Sequence, residues 1–371
     1  MNSNLDSYLS VSEVEDSITA LANAYPNTCQ LIKLPNPTTE GRICHALNIG
    51  RGLDDASKPA ALFTGAVHAR EWGGSEICVY LAADILEAHE RKTGLRYEGD
   101  GEGKYFTADQ VRSVVDNLNV IVFPCVNPDG RNYSQTVEPL WRRNRNPTES
   151  GGNPDCIGVD LNRNYNFLWD FPNLFLPNTV RTSADPCDWL SQTYRGSAPS
   201  SEQETQNVVW LFDNYPTISW HIDIHSYSQL ILHCWGDDEN QSVDPQMNFA
   251  NPNYNRKRGK GGDDYKEYVP SEDLSACASL ANRINDGIKA VNSNEYKVQS
   301  AFGLYATSGS GQDYSHSRHF ALPDKNKVFG FTIEFGTEFH PPWEEMKSVI
   351  REIDAGLLEF CLTIREQLAQ V

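Results

Sequence analysis

Residues 60–76 read AALFTGAVHAREWGGSE, an apolar run that ends in Gly65-Ala66-Val67 and continues directly into His68-Ala69-Arg70-Glu71. The apolar run is typical of a central strand covered on both faces, and the residues from about Gly74 onward predict a helix. Ligands of open α/β sheets bind where a strand ends and the chain turns into the following connection. His68 and Glu71 therefore lie where a functional site is expected.

Strand-like and helix-like runs of this kind alternate along all 371 residues, without an internal repeat or a low-complexity linker. This alternation predicts a single α/β domain. The predicted strands are 44–50, 60–67, 118–126, 218–224, 230–234 and 328–335, and the predicted helices are 11–24, 75–90, 201–214, 271–291 and 343–369. Three long polar segments fit neither class: 131–158, 166–194 and 236–269. Loops of this length in a compact domain are usually functional or rim a site.

The charge and the apolar runs of the chain argue against several classes of partner. The formal net charge of -19 argues against binding to nucleic acid through neutralisation of phosphates. The sequence has no run of about 18 apolar residues to span a membrane, and residues 1–10 lack the basic and apolar regions of a signal peptide. We expect a soluble protein without a nucleic-acid or membrane partner, and one that acts as a monomer.

The nine cysteines are an odd number, so at least one has no partner within the chain. Cys156 and Cys187 lie in loop-like sequence rich in Asp, Pro and Gly, where a bridge would close a flexible segment. Five other cysteines lie in apolar, periodic stretches and are interpreted as buried thiols. These are Cys29, Cys44, Cys78, Cys125 and Cys361.

Three residues at two strand ends have the chemistry of a metal site. The HxxE spacing lets the imidazole of His68 and the carboxylate of Glu71 reach one ion, and His225 directly follows the predicted strand 218–224. Each feature alone is common in structural roles, but their combination favours a metal. Three protein ligands with one open position are typical of catalytic zinc, whereas manganese, iron and cobalt are the alternatives for this ligand set.

A lone acid and two groups of arginines complete the candidate chemistry. Glu334 lies in an apolar strand, where an acid without a partner or a task is costly, and a carboxylate near a metal can act as a general base. Arg142 lies in Trp141-Arg142-Arg143-Asn144-Arg145 and Arg163 in Asp160-Leu161-Asn162-Arg163-Asn164. Guanidinium groups of this kind can hold an anionic substrate end and a developing oxyanion, although pairing with surface acids is the alternative.

An ordered set of motifs resembles the zinc metallocarboxypeptidases related to pancreatic carboxypeptidases A and B. The motifs extend along the chain from about Tyr8 to the last predicted helix. In order they are GAVHAREW, NPDGR, LWRRNR, GVDLNRNY, YRGSAPSSE, IHSYSQL, LYATSGSGQDY and FTIEFG. The resemblance implies a single α/β domain at 1–371, with a central mixed, mostly parallel, twisted sheet of about eight strands and helices on both faces.

The resemblance also implies an activity and a role for each residue. The implied activity is hydrolysis of the C-terminal peptide bond of peptides or proteins by a water molecule activated on one zinc ion. His68, Glu71 and His225 resemble the zinc ligands, Glu334 the general base and Arg142 the residue that stabilises the oxyanion. Asn162 and Arg163 resemble the pair that binds the terminal carboxylate, and Tyr305 resembles the mobile tyrosine that closes over the bound residue. Asp160 resembles the acid that orients a zinc histidine, and Arg70, Tyr227 and Arg145 resemble secondary substrate contacts.

The chain departs from the best-known members at the floor of the specificity pocket, which falls on Gln312. The other pocket positions implied by the resemblance are Leu232, Gly236, Ser300, Thr307 and Thr332. A neutral, polar pocket predicts a broad or polar residue preference. The alternatives are a basic preference caused by Asp237 and Asp238, or a specialised substrate such as a peptidoglycan stem peptide, a polyglutamate tail or an N-acyl amino acid.

Three further expectations follow from the resemblance. The family often bridges the loops that hold Cys156 and Cys187, and such a bridge slightly favours an extracellular location, whereas the missing signal peptide leaves a cytoplasmic one open. The chain begins about where the mature catalytic domain would, so no pro-segment is expected within it. A binding module that has lost its chemistry is the competing class of protein, but no ligand or base of the motif set is missing.

Overall fold

The computed structural model describes residues 7–53, 55, 57–188 and 191–368. The helices are α1 Val11–Ala24, α2 Gly73–Arg91, α3 Ala108–Asn117, α4 Pro128–Thr136, α5 Phe171–Leu174, α6 Gln203–Asn214, α7 Ser271–Asn292, α8 Gly311–Ala321 and α9 Trp343–Leu368. The strands are β1 Cys29–Lys33, β2 His45–Ile49, β3 Ala60–Gly65, β4 Leu95–Tyr97, β5 Lys104–Phe106, β6 Asn119–Phe123, β7 Ile218–Ser226, β8 Leu230–His233, β9 Asn240–Gln241, β10 Glu267–Tyr268, β11 Lys297–Ser300 and β12 Phe329–Phe335.

A single mixed sheet organises the part of the chain that the structure describes. Its eight strands run in the order β1-β2-β6-β3-β7-β12-β8-β11, and β6, β3, β7 and β12 form its parallel centre. The strands β1 and β2 are antiparallel at one edge, and β12 pairs antiparallel with β8 near the other. The predicted fold class, a mixed and mostly parallel sheet in one α/β domain, is confirmed.

Helices cover both faces of the sheet because its central strands are apolar on both sides. Adjacent residues of β3 contribute to opposite cores: the core that includes Phe63 also contains residues of α1, α2, α3, α7 and α9, and the core that includes Leu62 contains residues of α6. All six residues of β3 and all five of β6 are buried. This two-sided core fixes the central strands, whose carboxyl ends carry the candidate site.

All six predicted strands and all five predicted helices are present, with ends that differ by a few residues. The strand predicted at 60–67 ends at Gly65, and the residue at the end of the predicted helix 343–369 lies outside the described residues. The predicted loop 131–158 begins inside α4, so its first residues are helical. The predicted loop 166–194 contains the short helix α5, and the predicted loop 236–269 contains the short strands β9 and β10. The strands β1, β4, β5 and β11 and the helices α3, α4 and α8 were not predicted either.

The cysteines behave as two separate groups. Cys156 and Cys187 form a disulfide between loops that are 31 residues apart in sequence, and the other seven cysteines are free and buried. The guanidinium of Arg143 reinforces the same junction by donating to the carbonyl oxygens of Asp155 at 2.8 Å and Pro186 at 3.4 Å. The predicted bridge and the five predicted buried thiols are therefore present.

In the described part of the chain, no helix has the length and apolar character needed to cross a bilayer.

Candidate metal centre and substrate cleft

The carboxyl ends of three adjacent strands carry the candidate site. Glu334 on β12 pairs directly with His225 on β7, and β3 lies on the other side of β7. Beyond β3 the chain turns at Ala66, whose φ of 52° lies in the left-handed region. This turn brings His68 and Glu71 to the edge of the sheet where His225 lies.

Two imidazoles and one carboxylate converge at this edge. The Nδ1 atom of His225 lies 3.0 Å from Nδ1 of His68 and 2.8 Å from Oε2 of Glu71. His68 Nδ1 lies 2.8 Å from Oε1 of Glu71, and all three residues are buried. Among the described residues, only these three form a group of His, Cys, Asp or Glu whose ligand atoms lie within 4.8 Å of one another. The cluster can hold a metal ion, and its two nitrogens and one carboxylate are a donor set that zinc prefers.

Two further carboxylates contact the outer nitrogens of the imidazoles. Asp160 Oδ1 lies 3.1 Å from Nε2 of His68, and Asp223 Oδ2 lies 2.7 Å from Nε2 of His225. A proton on each Nε2 leaves both Nδ1 lone pairs free for a metal. Asp160 was expected in this position from the resemblance, whereas Asp223 was not predicted. The sequence contained one indication of this role: Asp223 precedes His225 by two residues in the same strand, so both side chains lie on the same face.

The buried acids near the cluster have shifted pKa values. Burial alone would raise the pKa of Asp160, but Arg142, His68 and Arg163 hold it well below its usual value. Burial raises the pKa of Glu334 to about 7, with Glu71 adding to the rise and His225 and Arg142 opposing it. Asp160 is therefore a fixed negative charge, whereas Glu334 has the near-neutral pKa of a group that can exchange a proton.

Arg142 lies beside the ligand cluster and contacts the same acids. Its Nε donates to Oδ2 of Asp160 at 2.9 Å, and one terminal nitrogen lies 4.0 Å from Oε1 of Glu71. Burial disfavours the charged guanidinium, but Asp160, Tyr305 and Glu71 raise the pKa of Arg142 above its usual range. Arg142 therefore presents a permanent positive charge at the cluster.

One cleft of about 580 Å³ opens over the cluster. It is lined by His68, Arg70, Glu71, Arg142, Asn162, Arg163, Arg181, Ser226, Tyr227, Ser228, Leu232, Ala301, Leu304, Tyr305, Thr307, Ser310, Gln312, Thr332, Glu334 and Phe339. The structure thus brings together the predicted residues from strand ends and distant loops. His225 lies behind the cleft wall and is 1% exposed.

The turn that follows Asp160 positions the predicted carboxylate-binding pair. Asn162 donates its backbone N–H to Oδ1 of Asp160 at 3.0 Å, and its side-chain oxygen accepts from the N–H of Gly311 at 2.8 Å. The Nε of Arg163 donates to the carbonyl oxygen of Arg181 at 3.0 Å. The Nη1 of Arg163 donates to the carbonyl oxygen of Asn162 at 2.5 Å, so backbone carbonyls hold the guanidinium in place while its side chain lines the cleft.

Some predicted contacts lie away from the cleft wall. The guanidinium carbon of Arg145 lies 3.6 Å from the ring centroid of Tyr133, and Arg145 is not among the lining residues. Gly236 and Ser300 do not line the cleft either, in the part of the chain that the structure describes. The remaining predicted pocket positions do line it: Leu232, Thr307, Gln312 and Thr332.

The two acids that could have attracted a basic side chain are buried beneath the cleft. Burial, followed by the charge of Glu267, raises the pKa of Asp237 well above its usual value. Asp238 accepts the backbone N–H groups of Gly259 and Glu239, both at 2.7 Å. Neither acid is among the residues that line the cleft. The structure therefore gives no support to a basic residue preference caused by Asp237 and Asp238.

Comparisons with known proteins agree with this geometry. The zinc carboxypeptidase family model matches residues 14–354. Metallocarboxypeptidase A of Trichophyton tonsurans is 36% identical over 200 residues, which cover 53% of this chain and 40% of that protein. Carboxypeptidase B of Astacus astacus is 28% identical over 330 residues, covering 88% of this chain and 86% of that protein. The crystal structure of carboxypeptidase A from Helicoverpa armigera superposes with a TM-score of 0.71 at 22% identity, covering 99% of this chain and 75% of that chain.

The chain belongs to the zinc carboxypeptidase family, since the family model covers most of its length. The structural match at 22% identity agrees with the fold. The match to the Trichophyton tonsurans protein spans only 40% of that protein's length.

Proposed function

We propose that the protein is a zinc-dependent exopeptidase that hydrolyses the C-terminal peptide bond of peptides or proteins. One observation carries the proposal: a three-ligand cluster, an acid with a pKa of about 7 and two buried arginines meet in a single cleft. A metal-activated hydrolysis confined to chain ends needs a metal site, a base and positive groups for the oxyanion and the terminal carboxylate.

The ligands of the proposed zinc ion are His68, Glu71 and His225, one ion per chain. When bound, zinc supplies Lewis acidity that makes a water molecule easier to deprotonate and polarises a carbonyl group. The two histidines would bind through Nδ1, because their Nε2 atoms contact Asp160 and Asp223. These two carboxylates orient the rings and fix the tautomer of each histidine.

Glu334 acts as the general base in the proposed reaction. It accepts a proton from the attacking water and passes it to the nitrogen of the departing residue. Burial raises the pKa of Glu334 above the usual value of a carboxyl, which helps the carboxylate to accept a proton and then to pass it on. Arg142 holds the oxygen of the scissile carbonyl as negative charge develops there.

Recognition of the chain end falls to the residues on the other side of the cleft. Asn162 and Arg163 bind the terminal carboxylate, which a guanidinium can hold through two parallel hydrogen bonds. Tyr305 closes the mouth over the bound residue, while Arg70 and Tyr227 contact the preceding part of the peptide. Arg70 lies with its guanidinium carbon 4.0 Å from the ring centroid of Phe339, and this stacking keeps it on the cleft wall.

We further propose that Gln312 gives the pocket a preference for polar, uncharged C-terminal residues. Its amide nitrogen donates to Oδ1 of Asp313 at 3.5 Å, so its amide oxygen remains available to a substrate donor. Asp313 also accepts from the backbone N–H of Gly236 at 3.2 Å and from Ser310 Oγ at 2.9 Å. The amide of Gln312 can therefore form a hydrogen bond with a polar side chain of the substrate. It provides no positive charge to pair with an acidic side chain.

A release assay with zinc-loaded protein tests the proposed function. Blocked dipeptides that end in Phe, Leu, Lys, Arg, Glu and Gln are incubated with and without a chelator, and the released residue is measured. Glu334→Gln should lower the rate by about 10²- to 10⁴-fold because the general base is lost. The zinc content of this variant, measured by atomic absorption, should stay at one per chain.

Glu338→Gln is the matched control, because Glu338 is an exposed acid just beyond the same strand. This control should keep the wild-type rate. A Glu334→Gln protein that binds zinc and still hydrolyses at the wild-type rate would contradict the mechanism. Release that persists in the chelator would contradict the metal dependence.

A further inference from the structure

The loop between α5 and the short turn Ser191–Thr193 places a fourth arginine in the cleft. Arg181 lines the same cavity as Arg142, Arg163 and Arg70, and none of the sequence patterns singled it out. Its guanidinium carbon lies 5.2 Å from the ring centroid of Tyr305, and that of Arg163 lies 6.0 Å from the same centroid. Two guanidinium groups therefore share one aromatic ring at the mouth of the cleft.

The backbone of residue 181 is fixed although its side chain is exposed. Its N–H donates to the carbonyl oxygen of Ala306 at 3.3 Å, and its own carbonyl oxygen accepts from Nε of Arg163 at 3.0 Å. The next residue, Thr182, is buried, and its hydroxyl lies 2.9 Å from that of Ser308. The backbone of Arg181 is therefore held in place by hydrogen bonds to Arg163 and to the segment that carries Tyr305.

The charge of Arg181 is not balanced by the protein. Across the described residues, neither Arg181 nor Arg163 has a carboxylate within ion-pair distance, whereas Arg142 contacts Asp160 at 2.9 Å and Arg195 contacts Asp170 at 3.3 Å. Like charges that share a cavity repel each other unless an anion lies between them. In a chain with a net charge of -19, the two guanidinium groups of Arg163 and Arg181 beside one tyrosine ring, neither with a carboxylate partner among the described residues, indicate an anionic ligand.

We propose that Arg181 is a second binding residue for the terminal carboxylate of the substrate, acting together with Arg163. This inference rests on the proposed function, since the ligand is the α-carboxylate of a peptide end. Arg163 approaches this group from the wall of the cleft, and Arg181 approaches it from the mouth. Arg181 recognises the charge that every C-terminus carries, and it does not select for the side chain of the last residue.

Binding measurements test this role without relying on turnover. Zinc-loaded Glu334→Gln protein is titrated calorimetrically with a six-residue peptide ending in Gln, as the free acid and as the C-terminal amide. Adding Arg181→Gln should weaken binding of the free acid by about fivefold, as for a partly exposed ion pair, and leave binding of the amide unchanged. Arg181→Lys should retain part of the affinity, because it keeps the charge but loses the planar fork.

Arg112→Gln on α3 is the matched control, since it removes the same charge from an exposed site that does not line the cleft. It should leave both affinities unchanged. Raising the salt concentration should weaken free-acid binding less in Arg181→Gln than in its parent, because an exposed charge pair is screened by salt. Thermal melting shows whether each variant is folded.

Steady-state kinetics are measured with protein that retains Glu334 and can hydrolyse substrate. They distinguish recognition of the terminal carboxylate from recognition of a side chain. Arg181→Gln should raise KM about equally for substrates ending in Gln and in Glu, with kcat unchanged. Unchanged affinity for the free acid, or an equal loss for acid and amide, overturns the inference. A loss confined to Glu-terminated substrates also overturns it, because Arg181 would then recognise a side chain. If no substrate is hydrolysed but Arg181→Gln still weakens only free-acid binding, the proposed function fails and the carboxylate role of Arg181 stands.

Discussion

Asp160 and Asp223 determine how the two histidines of the cluster face each other. Each carboxylate contacts an Nε2 atom, so each ring points its Nδ1 inward. Asp223 is itself held by the hydroxyl of Thr64, which donates to Oδ1 at 2.7 Å. Burial alone would raise the pKa of Asp223, but His225, His221 and Thr64 hold it below its usual value. The ligand orientation is therefore fixed before any metal binds.

Removal of the charge at Asp223 should weaken zinc binding. We expect Asp223→Asn to lower zinc affinity by about 10- to 100-fold, because the imidazole of His225 loses its anionic partner. Competition with a chelator of known affinity measures the effect. Asp109→Asn is the control, since Asp109 is an exposed acid on α3. Equal zinc affinity in the wild type and Asp223→Asn would show that the partner acid is dispensable.

The sequence was sufficient to find the ligands, the acid on β12 and Asp160, but not Asp223 or Arg181. His68, Glu71, His225 and Glu334 each stand out as polar groups at the end of an apolar strand. Arg181 lies in a polar loop, where an arginine is ordinary. Only the contact of that loop with the segment of Tyr305 places it in the cleft. Such tertiary contacts between loops have no periodic signature in a sequence.

At the scale of elements, the junction of β3 and α2 is packed too closely for any side chain. A Cβ atom added at Gly65 would lie 2.5 Å from the carbonyl oxygen of Gly74. One added at Gly74 would lie 3.0 Å from the backbone nitrogen of Ala66 and 3.0 Å from the carbonyl oxygen of Ile224. These contacts are with backbone atoms, which cannot rotate away. The start of α2 is therefore pressed against the strand ends that carry the ligands.

A methyl group at Gly65 should disturb both the packing and the metal cluster. We expect Gly65→Ala to lower the free energy of unfolding by about 1–3 kcal/mol through overpacking. Zinc affinity should fall as well, because His68 and Glu71 lie between the two elements that are forced apart. Denaturant unfolding and chelator competition measure the two effects. Gly261→Ala is the control, since its nearest neighbour would be a Phe302 side-chain atom at 3.3 Å.

Elements with an apolar pattern were predictable, and those stabilised by polar contacts were not. The strand β11 is partly exposed along its whole length, so it lacks the apolar run of a central strand. In α8 the buried face is mainly polar, including Gln312, Asp313 and His316. The helix α3 begins with a capping box between Thr107 and Gln110, and this pattern is visible in the sequence as a threonine followed three residues later by a glutamine.

At the scale of the whole molecule, charge is distributed unevenly. The chain has a net charge of -19, yet the cleft is lined by four arginines and only two acids, Glu71 and Glu334. A cleft with an excess of one sign of charge concentrates the electrostatic field. It thereby raises the local concentration of ligands of the opposite sign. An anionic chain end is therefore drawn to the cleft of a protein whose remaining surface repels it.

Metal removal should destabilise the entire fold, because the ligand cluster joins α2 to the central sheet. At free zinc about 100 times the dissociation constant, binding adds about 2.7 kcal/mol to the free energy of unfolding. We expect a chelator to lower the unfolding temperature and added zinc to restore it, as followed by calorimetry. Magnesium is the control, since it prefers all-oxygen ligands and should restore nothing. An unfolding temperature that ignores both chelator and zinc would contradict a resident metal.

The order of the strands in the sheet has a consequence for the synthesis of the protein. The strands β3, β7 and β12 are neighbours in space, but the ligand His68 and the base Glu334 are separated by most of the chain. Domains begin to fold from the N-terminal side while the ribosome is still adding residues. A nascent chain can assemble the ligands of β3 and β7 before β12 has left the ribosome, but it lacks the base. The proposed peptidase activity therefore requires that β12 is synthesised and paired with β7, so a nascent chain that stops before β12 is inactive.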